Sequence, residues 1–263
     1  MASREIPLRR EDVCVACREP LAPGVRAWWD PDAKTVTCLA CRAAAVQESS
    51  EIDPGIAGQS ISRAHQARKS RREQRVRDKH PRIGGALLAL QSAPQHEEAF
   101  RKGAAGERQV AAALAKRVPD GTAELLHNRR MSGGRGDIDH LAVSPTGVWV
   151  IDAKAIAGKA RIARPLLRDQ RLIVNGRDRS KLLDGLDRQV AAVREALTQF
   201  PDVQIRGVLC FTDADLPLLR REVRGHVLLH QHGLARSLKN DGPILAEQRS
   251  EILRVLARAF PPA

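Results

Sequence analysis

The sequence predicts an α/β domain that follows a small cysteine-rich module. Strand-like runs alternate with segments of helical period from residue 92 onward, which is typical of α/β folds. Four of the five cysteines lie near the N-terminus, and an arginine-rich tract with few apolar residues follows them. We therefore predict a zinc-binding module at 10–45, a basic linker at 46–92 and an α/β domain at 93–263.

The composition indicates a polyanionic partner. The chain has 263 residues, a formal net charge of +13 and a pI near 10.4. Such a positive electrostatic potential favours binding to nucleic acid, because neutralising its phosphates releases counterions. An anionic membrane surface is the competing polyanion. No stretch approaches the roughly 20 apolar residues that span a bilayer, and the first residues lack the apolar core of a signal peptide. We expect a cytoplasmic protein.

The cysteines have metal-ligand spacing. Cys14-Val-Ala-Cys17 and Cys38-Leu-Ala-Cys41 each supply two thiolates from a tight turn, and four complete the closed tetrahedral shell of structural Zn²⁺. Two disulfides or a redox motif are the alternatives. A catalytic zinc would need an open position. The fifth cysteine, Cys210, lies in an apolar run and is predicted to be a core residue.

The segment between the cysteine pairs predicts a zinc ribbon or knuckle. Residues 25–29 and 35–37 have the composition of two short strands joined at 30–32. The unit is too short for a large core, so the metal would supply most of its folding energy. Trp28 and Trp29 either pack this small core or stack on bases.

The predicted linker concentrates positive charge. A tract so poor in apolar residues is disordered or a solvated helix when alone, and along nucleic acid it can act as a non-specific clamp. A solubilising linker is the alternative. The candidate nucleic-acid-binding residues are Arg68, Lys69, Arg71, Arg72, Arg75, Arg77 and Lys79.

The α/β domain is predicted to begin with a helix at 92–116. Ser92 with Gln95 forms a capping box, and Pro94 suits the first turn. Glu107 lies within the apolar stripe of this helix. It either reaches solvent at the edge of the stripe or becomes a third carboxylate near a metal, if the helix packs against the hairpin that follows.

That hairpin carries the main chemical signal. Apolar residues alternate on both sides of Ser144-Pro-Thr-Gly147, and this turn places Asp139 opposite Asp152, with Lys154 on the same face. Opposed carboxylates repel each other, and a divalent cation such as Mg²⁺ would offset the repulsion. Three alternatives remain: a solvated surface Asp-x-Lys, a Lys154–Asp137 ion pair, or a shifted loop that removes Asp139 from this face. His140 points to the opposite face.

The rest of the chain completes an α/β pattern. Gln189 lies beside the apolar stripe of the helix at 180–200, where it is either a half-exposed flank residue or a partner for substrate or Lys154. We predict strands at 124–129, 159–163, 171–174, 203–211 and 227–229, and helices at 180–200, 233–239 and 243–259.

Three sequence blocks together resemble a known family. Gly103-Ala-Ala-Gly106-Glu107, then Gly136-Asp-Ile-Asp139-His140-Leu, then Gly147-Val-Trp-Val-Ile-Asp152-Ala-Lys154, are similar to the nuclease-related domain (NERD) family of the PD-(D/E)xK superfamily. The resemblance covers about 93–215 and implies a restriction-endonuclease-like fold, with a mixed central sheet flanked by helices. It implies a helix glutamate (Glu107), two hairpin acids (Asp139, Asp152), a lysine (Lys154) and a later glutamine (Gln189). Phe100 replaces the expected tryptophan, and Asp152 replaces the commoner glutamate.

The resemblance and the residues together predict a Mg²⁺- or Mn²⁺-dependent DNA nuclease. Asp139 and Asp152 would ligate the metal, with Glu107 as a further ligand or water anchor. Lys154 would position or help deprotonate the water or stabilise developing charge, and Gln189 would orient Lys154 or the phosphate. The alternatives are an inactive zinc-containing DNA- or RNA-binding protein and a nuclease acting on RNA.

Overall fold

The computed structural model describes residues 4–31, 33–50, 52–79, 95–134, 136–164, 169–218 and 221–263. The predicted helix cap at Ser92 and Pro94 lies outside these ranges. The helices are α1 (Leu39–Ser50), α2 (Gln59–Lys79), α3 (Gln95–Arg117), α4 (Lys181–Ala196), α5 (Gln231–Leu238) and α6 (Ala246–Ala259). The strands are β1 (Arg4–Pro7), β2 (Asp12–Val13), β3 (Pro20–Leu21), β4 (Arg26–Asp30), β5 (Thr35–Cys38), β6 (Glu124–Arg130), β7 (Asp137–Ser144), β8 (Gly147–Lys154), β9 (Gly158–Ala163), β10 (Arg171–Val174), β11 (Arg177–Asp178), β12 (Ile205–Phe211), β13 (Ala214–Asp215), β14 (Glu222–Val223) and β15 (His226–His230).

A six-stranded mixed sheet forms the centre, in the order β14-β15-β12-β8-β7-β6. Strands β6, β7 and β8 are antiparallel, whereas β8, β12 and β15 run parallel. Helices α3 and α5 cover one face through Val110, Leu114 and Leu234. Helices α4 and α6 cover the other through Leu183 and Leu256. This arrangement confirms the predicted mixed α/β fold, with both faces buried.

The hairpin of β7 and β8 has the predicted register. Val143 pairs with Val148 and Leu141 with Val150. The indole of Trp149 donates to the Ser144 hydroxyl at 2.9 Å, which ties the strand to the turn. Gly147 closes the turn at φ 136°, and a Cβ there would lie 2.3 Å from the Gln204 carbonyl oxygen. The turn therefore fixes which side chains reach each face of the sheet.

A second, four-stranded sheet has the order β11-β10-β9-β13. Asn175 and Gly176 connect β10 to β11 with φ values of 49° and 72°, as a type I′ turn requires. The two-residue strands β11, β13 and β14 were not predicted, because such short segments carry no recognisable alternation. Helix α4 ends at Ala196, four residues before its predicted end, and a turn leads to Pro201.

The N-terminal module contains the sheet β1-β4-β5 and the pair β2-β3. Strands β4 and β5 match the two short strands that the sequence predicted. The module rests on the α/β domain, where the Thr37 hydroxyl donates to the Glu247 carboxylate of α6 at 2.9 Å. Across the described ranges, no helix is both long and apolar enough to cross a bilayer.

The segment 52–58 packs on the α/β domain, although the sequence suggested a linker there. The His127 amide donates to the Pro54 carbonyl at 2.7 Å, and a guanidinium nitrogen of Arg129 donates to the Asp53 carbonyl. The Gly58 amide donates to the Glu107 carboxylate at 2.8 Å. We call residues 52–58 the strap. It leads directly into α2, which takes up part of the basic tract as a helix, while the predicted boundaries at 46 and 92 stay predictions.

The strap requires glycine at position 58. Gly58 has φ +73°, and a Cβ there would lie 2.7 Å from the Ala104 carbonyl oxygen. Gly121 has a similar φ of +76° with nothing within 4 Å, so it is a matched control. We expect Gly121→Ala to cost about 1 kcal/mol for the left-handed conformation, and Gly58→Ala to cost about 1–3 kcal/mol more, as overpacking does. Urea unfolding measures both, and equal losses would show that the Ala104 contact is not limiting.

Candidate active site

The candidate site lies where the paired register of the hairpin ends. The last paired residues are His140 and Ile151, and the next positions along the two strands are Asp139 and Asp152. A carboxylate oxygen of Asp139 accepts the Ala153 amide at 2.8 Å, so its side chain bonds to the backbone of the opposite strand. Asp152 is buried. The two predicted acids thus lie at the same end of one hairpin.

Lys154 forms its ion pair with Asp152. Its ammonium donates to the Asp152 carboxylate at 2.6 Å and to the Ala153 carbonyl at 3.2 Å. Burial opposes the charge, but the carboxylates of Asp152, Asp139 and Glu107 outweigh it and raise the pKa of Lys154. The ammonium thus supplies positive charge to the site, and its ion-pair partner is Asp152 rather than Asp137.

Glu107 reaches this group from helix α3. The helix packs against the end of β8, where a Cβ on Gly106 would lie 3.0 Å from the Cβ of Ala155. Glu107 is buried, 2% exposed. Burial raises the pKa of Glu107 to about 7, against the opposing effects of the Gly58 amide and Lys154. The structure therefore brings Glu107 into electrostatic range of Asp152 and Lys154, and its role as a further ligand or water anchor stays a prediction.

Each carboxylate of the site bonds to a different protein donor. Glu107 accepts from Gly58, Asp139 from Ala153 and Asp152 from Lys154. Burial and the Asp152 charge raise the pKa of Asp139 well above its usual value, which shows that negative charge is crowded here. Carboxylate oxygens are the ligands that Mg²⁺ prefers, so the donor set fits a hard divalent cation. The oxygens are not gathered into a shell: in the described part of the chain, a group of three or more close metal-ligand atoms occurs only among the cysteines.

Gln189 lies at the base of the same hairpin. Its amide nitrogen donates to the Asp137 carbonyl at 3.1 Å, two residues before Asp139. Its amide oxygen is buried and has no hydrogen-bond partner within the described structure. The contact that the structure gives Gln189 is thus with the strand that carries Asp139, and its predicted role toward Lys154 or a phosphate stays a prediction.

A histidine pair lies on the other face of β7, with His140 buried and His127 half-buried. His127 and His140 are cross-strand partners, and their Nδ1 atoms lie 2.8 Å apart. Burial lowers the pKa of His127 to about 4, with Arg129 adding to the effect. Burial also lowers the pKa of His140 well below its usual value. The sequence placed His140 on this face, but the pair was missed because the β6–β7 register was not predicted.

The histidine pair predicts acid sensitivity. As the pH falls below about 6.5, His127 becomes protonated in the unfolded chain, whereas in the folded protein it stays neutral until about pH 4. The free energy of unfolding therefore decreases as the pH falls through this window. We expect His127 to account for about 2 kcal/mol of the stability lost between about pH 7 and about pH 5. Glu107 and Asp139 act with the opposite sign, so variants must be compared. Urea unfolding of His127→Gln should show a flatter pH dependence than wild type, and the exposed-residue control His232→Gln should not.

The four cysteines meet as their spacing predicted. Cys14, Cys17, Cys38 and Cys41 place their sulfur atoms within 4.8 Å of one another, and all four are free thiols. The sulfurs of Cys17 and Cys38 lie 3.9 Å apart, close to the separation of about 3.8 Å expected for tetrahedral Zn–S bonds of about 2.3 Å. This geometry suits a structural zinc ion.

The cluster also provides donors for thiolates. The Cys38 amide donates to the Cys14 sulfur at 3.2 Å, and the Cys41 amide to the Cys38 sulfur at 3.3 Å. Burial opposes ionisation of Cys14, but the amides of Cys17, Cys38 and Ala16 together lower its pKa to about 6. Cys210 is buried in the α/β core, where burial raises its pKa to about 12. The four N-terminal cysteines thus have the surroundings of metal ligands, and Cys210 does not.

The predicted nucleic-acid contacts lie on α2. Its range contains Arg68, Lys69, Arg71, Arg72, Arg75, Arg77 and Lys79. The side chains of Arg71, Arg75 and Lys79 are exposed. In the cysteine module, the Arg42 guanidinium lies 4.8 Å from the ring centroid of Trp28, and Trp29 packs against the module core.

The comparison with protein families agrees with this geometry. Residues 102–212 match the family model described as NERD, nuclease-related domain. The matched range contains Glu107, Asp139, Asp152, Lys154 and Gln189, while the cysteine module and α2 lie outside it. Neither the curated proteins nor the solved structures gave a match. Residues 102–212 are therefore similar to the nuclease-related domain (NERD) family, and this segment follows an N-terminal four-cysteine module.

Proposed function

We propose that this protein is a metal-dependent nuclease that hydrolyses phosphodiester bonds of DNA. The observation that carries the proposal is the buried group at the end of the hairpin, where two aspartates and a lysine meet a helix glutamate inside a nuclease-related domain. Crowded carboxylates beside one lysine are an arrangement that phosphodiester chemistry uses and that stability alone does not favour.

Asp139 and Asp152 would hold Mg²⁺ or Mn²⁺, with Glu107 as a further ligand or water anchor. Such an ion, when bound, acidifies a water molecule and neutralises charge on phosphoryl oxygens. Lys154 supplies a positive charge next to Asp152, where it can stabilise negative charge developing on the phosphate. Gln189 supports the strand that presents Asp139 through its bond to the Asp137 carbonyl, and its unpaired oxygen can accept a hydrogen bond.

The remaining parts would bind the nucleic-acid backbone. The net charge of +13 and the arginines of α2 favour phosphate contacts, which position a substrate without reading its sequence. We propose DNA ahead of RNA as the substrate. The cysteine cluster would hold a structural Zn²⁺ that keeps its module folded on α6.

One observation favours a second candidate, a zinc-containing protein that binds DNA or RNA without cutting it. Every carboxylate of the site already accepts a hydrogen bond from the protein itself, so the three carboxylates have partners without a metal. In that case binding would persist and hydrolysis would be absent.

A cleavage assay separates these candidates. Circular duplex, linear duplex, single-stranded DNA and RNA would be incubated with Mg²⁺, Mn²⁺ or EDTA, and binding would be measured in parallel. Cutting of DNA that needs the metal and stops in EDTA supports the nuclease, and cutting of circles makes it an endonuclease. Preferential cutting of RNA would reassign the substrate. Salt-sensitive binding without hydrolysis in any arm would overturn the enzymatic proposal.

A further inference from the structure

The strap fixes the start of the basic helix next to the candidate catalytic glutamate. Gly58 ends the strap and donates its amide to Glu107 at 2.8 Å. The carbonyl of the same residue accepts the Ser62 amide at 3.1 Å, which is the first hydrogen bond of α2. A single glycine therefore bonds both to the Glu107 carboxylate and to the first turn of α2. This residue couples the position of the carboxylate to the start of the helix.

Further contacts hold the direction of α2. The Arg63 guanidinium donates to the Ala263 carbonyl at 2.8 Å, and α2 packs against α3, the helix that carries Glu107. At its other end the strap is bound to β6 through Pro54. The first turns of α2 are thus attached to the α/β domain on several sides, so the rest of the helix continues from a fixed origin.

The second half of α2 presents a charged row. Arg71, Arg75 and Lys79 are exposed and spaced four residues apart, so they lie along one face of the helix. They follow Gly58 by 13, 17 and 21 residues. At about 1.5 Å of rise per residue, their backbone positions lie about 20, 26 and 32 Å from the start of the helix beside Glu107.

We infer that α2 selects long nucleic-acid substrates, because its row of Arg71, Arg75 and Lys79 binds phosphates at a fixed distance from the bond that is cut. This inference rests on the proposed nuclease function and deepens it. Successive phosphates of one strand lie about 3.4 Å apart along duplex DNA, so the row matches phosphates about six to nine base pairs from the scissile one. A duplex that extends less far cannot occupy both sites. The attachment of α2 to Glu107 favours this polyanion over an anionic membrane.

The test combines substrate length with removal of the row. The variant carries Arg71→Gln, Arg75→Gln and Lys79→Gln. The matched control carries Lys116→Gln, Arg194→Gln and Lys239→Gln, which removes three exposed cations that lie outside α2. Rates of hydrolysis would be measured on linear duplexes from about 6 to about 40 base pairs, a series that spans the distance from the cut to the row. Binding to the same duplexes, and to vesicles of anionic lipid, would be measured alongside.

For wild type and the control variant, KM should fall as the duplex grows to about 20 base pairs and then level off, with kcat nearly constant. In the α2 variant, KM for long duplexes should rise to the value for short ones while kcat stays. The slope of log affinity against log salt should decrease by about 2.7, which is about a 40-fold smaller loss between 50 and 200 mM salt.

Each contrary result has a distinct meaning. Cutting that is independent of length, or an α2 variant that behaves like its control, would overturn the inference and leave the nuclease proposal standing. An effect of the α2 variant on vesicle binding but not on DNA would also overturn it. If wild type cuts no duplex, the length inference fails, and the nuclease proposal fails with it when single-stranded DNA also stays uncut. Length-dependent DNA binding that is lost only in the α2 variant would then show that α2 binds DNA without serving cleavage.

Discussion

Replacing Asp152 with asparagine, or Lys154 with methionine, should lower metal-dependent DNA cleavage at least about 100-fold, as the loss of one group that stabilises transition-state charge does elsewhere. The aspartate would lose its metal-binding charge with little change of shape. The lysine variant would lose the ammonium that bonds to Asp152 and lies near the other carboxylates of the site. The measurement is the initial rate of hydrolysis with Mg²⁺ or Mn²⁺, with binding of uncut DNA recorded in parallel.

Matched controls separate this effect from a general loss of charge. Asp120→Asn removes an exposed carboxylate and Lys159→Met removes an exposed ammonium, both outside the candidate site. We expect both controls to cut DNA at the wild-type rate. Full activity in Asp152→Asn would mean that the hairpin is not the catalytic centre, whatever the family match implies.

Folding must be distinguished from chemistry in these variants. Asp152 and Lys154 form a largely buried pair at 2.6 Å, and loss of one partner from such a pair leaves an uncompensated charge that destabilises the protein. The double variant Asp152→Asn with Lys154→Met removes both charges. We expect it to recover part of the melting temperature that each single variant loses but none of the activity. Recovery of activity together with stability would show that the single variants were merely unfolded.

The part of the site that could be predicted is the part built by local sequence. Four residues, Ser144 to Gly147, fix the hairpin register, and alternation along the strands then places Asp139, Asp152 and Lys154 on one face. The structure confirms the pairs Val143–Val148 and Leu141–Val150. The family resemblance supplied Glu107, for which the sequence pattern alone allowed an exposed position.

The parts that escaped prediction depend on contacts between distant residues. The bond from Gly58 to Glu107 joins positions 49 residues apart, and the bond from Thr37 to Glu247 joins positions 210 apart. Neither residue type nor spacing predicts such a contact, because it follows from how whole helices and strands pack against one another. The sequence for this reason predicts a linker at the strap, because turn-forming residues such as Asp53-Pro-Gly55 have the same composition whether they lie in solvent or pack on a sheet.

Removing the metal from the cysteine cluster should unfold the N-terminal module while the α/β domain stays folded. The module has few buried apolar residues, Leu8, Leu21, Ala27 and Val36 beside Cys14, so its own core is small. Structural zinc contributes about 10–16 kcal/mol in zinc-finger peptides, which exceeds what such a core supplies. We therefore expect Cys17→Ala, or treatment with a strong zinc chelator, to release zinc and melt the strands of the module.

The tryptophans report this unfolding selectively. Trp28 and Trp29 lie in the module, whereas Trp149, the third tryptophan of the chain, is buried in the α/β domain. Loss of zinc should expose the first two and shift the emission to longer wavelength only in part, with most helical circular dichroism retained. The matched control is Cys210→Ala, a thiol buried in the α/β core, which should keep its zinc. Unfolding by a reducing agent instead of a chelator would favour the disulfide alternative.

The same treatment tests what the module contributes to function. The module rests on α6 through the Thr37–Glu247 bond and lies apart from the hairpin carboxylates in the fold, so its unfolding leaves Asp139, Asp152 and Lys154 in place. We expect Cys17→Ala to weaken DNA binding and raise KM while kcat with saturating DNA stays near wild type. A fall in kcat with unchanged melting of the α/β domain would instead make the zinc module part of the catalytic arrangement. A module that only contacts the nucleic-acid backbone would affect binding alone.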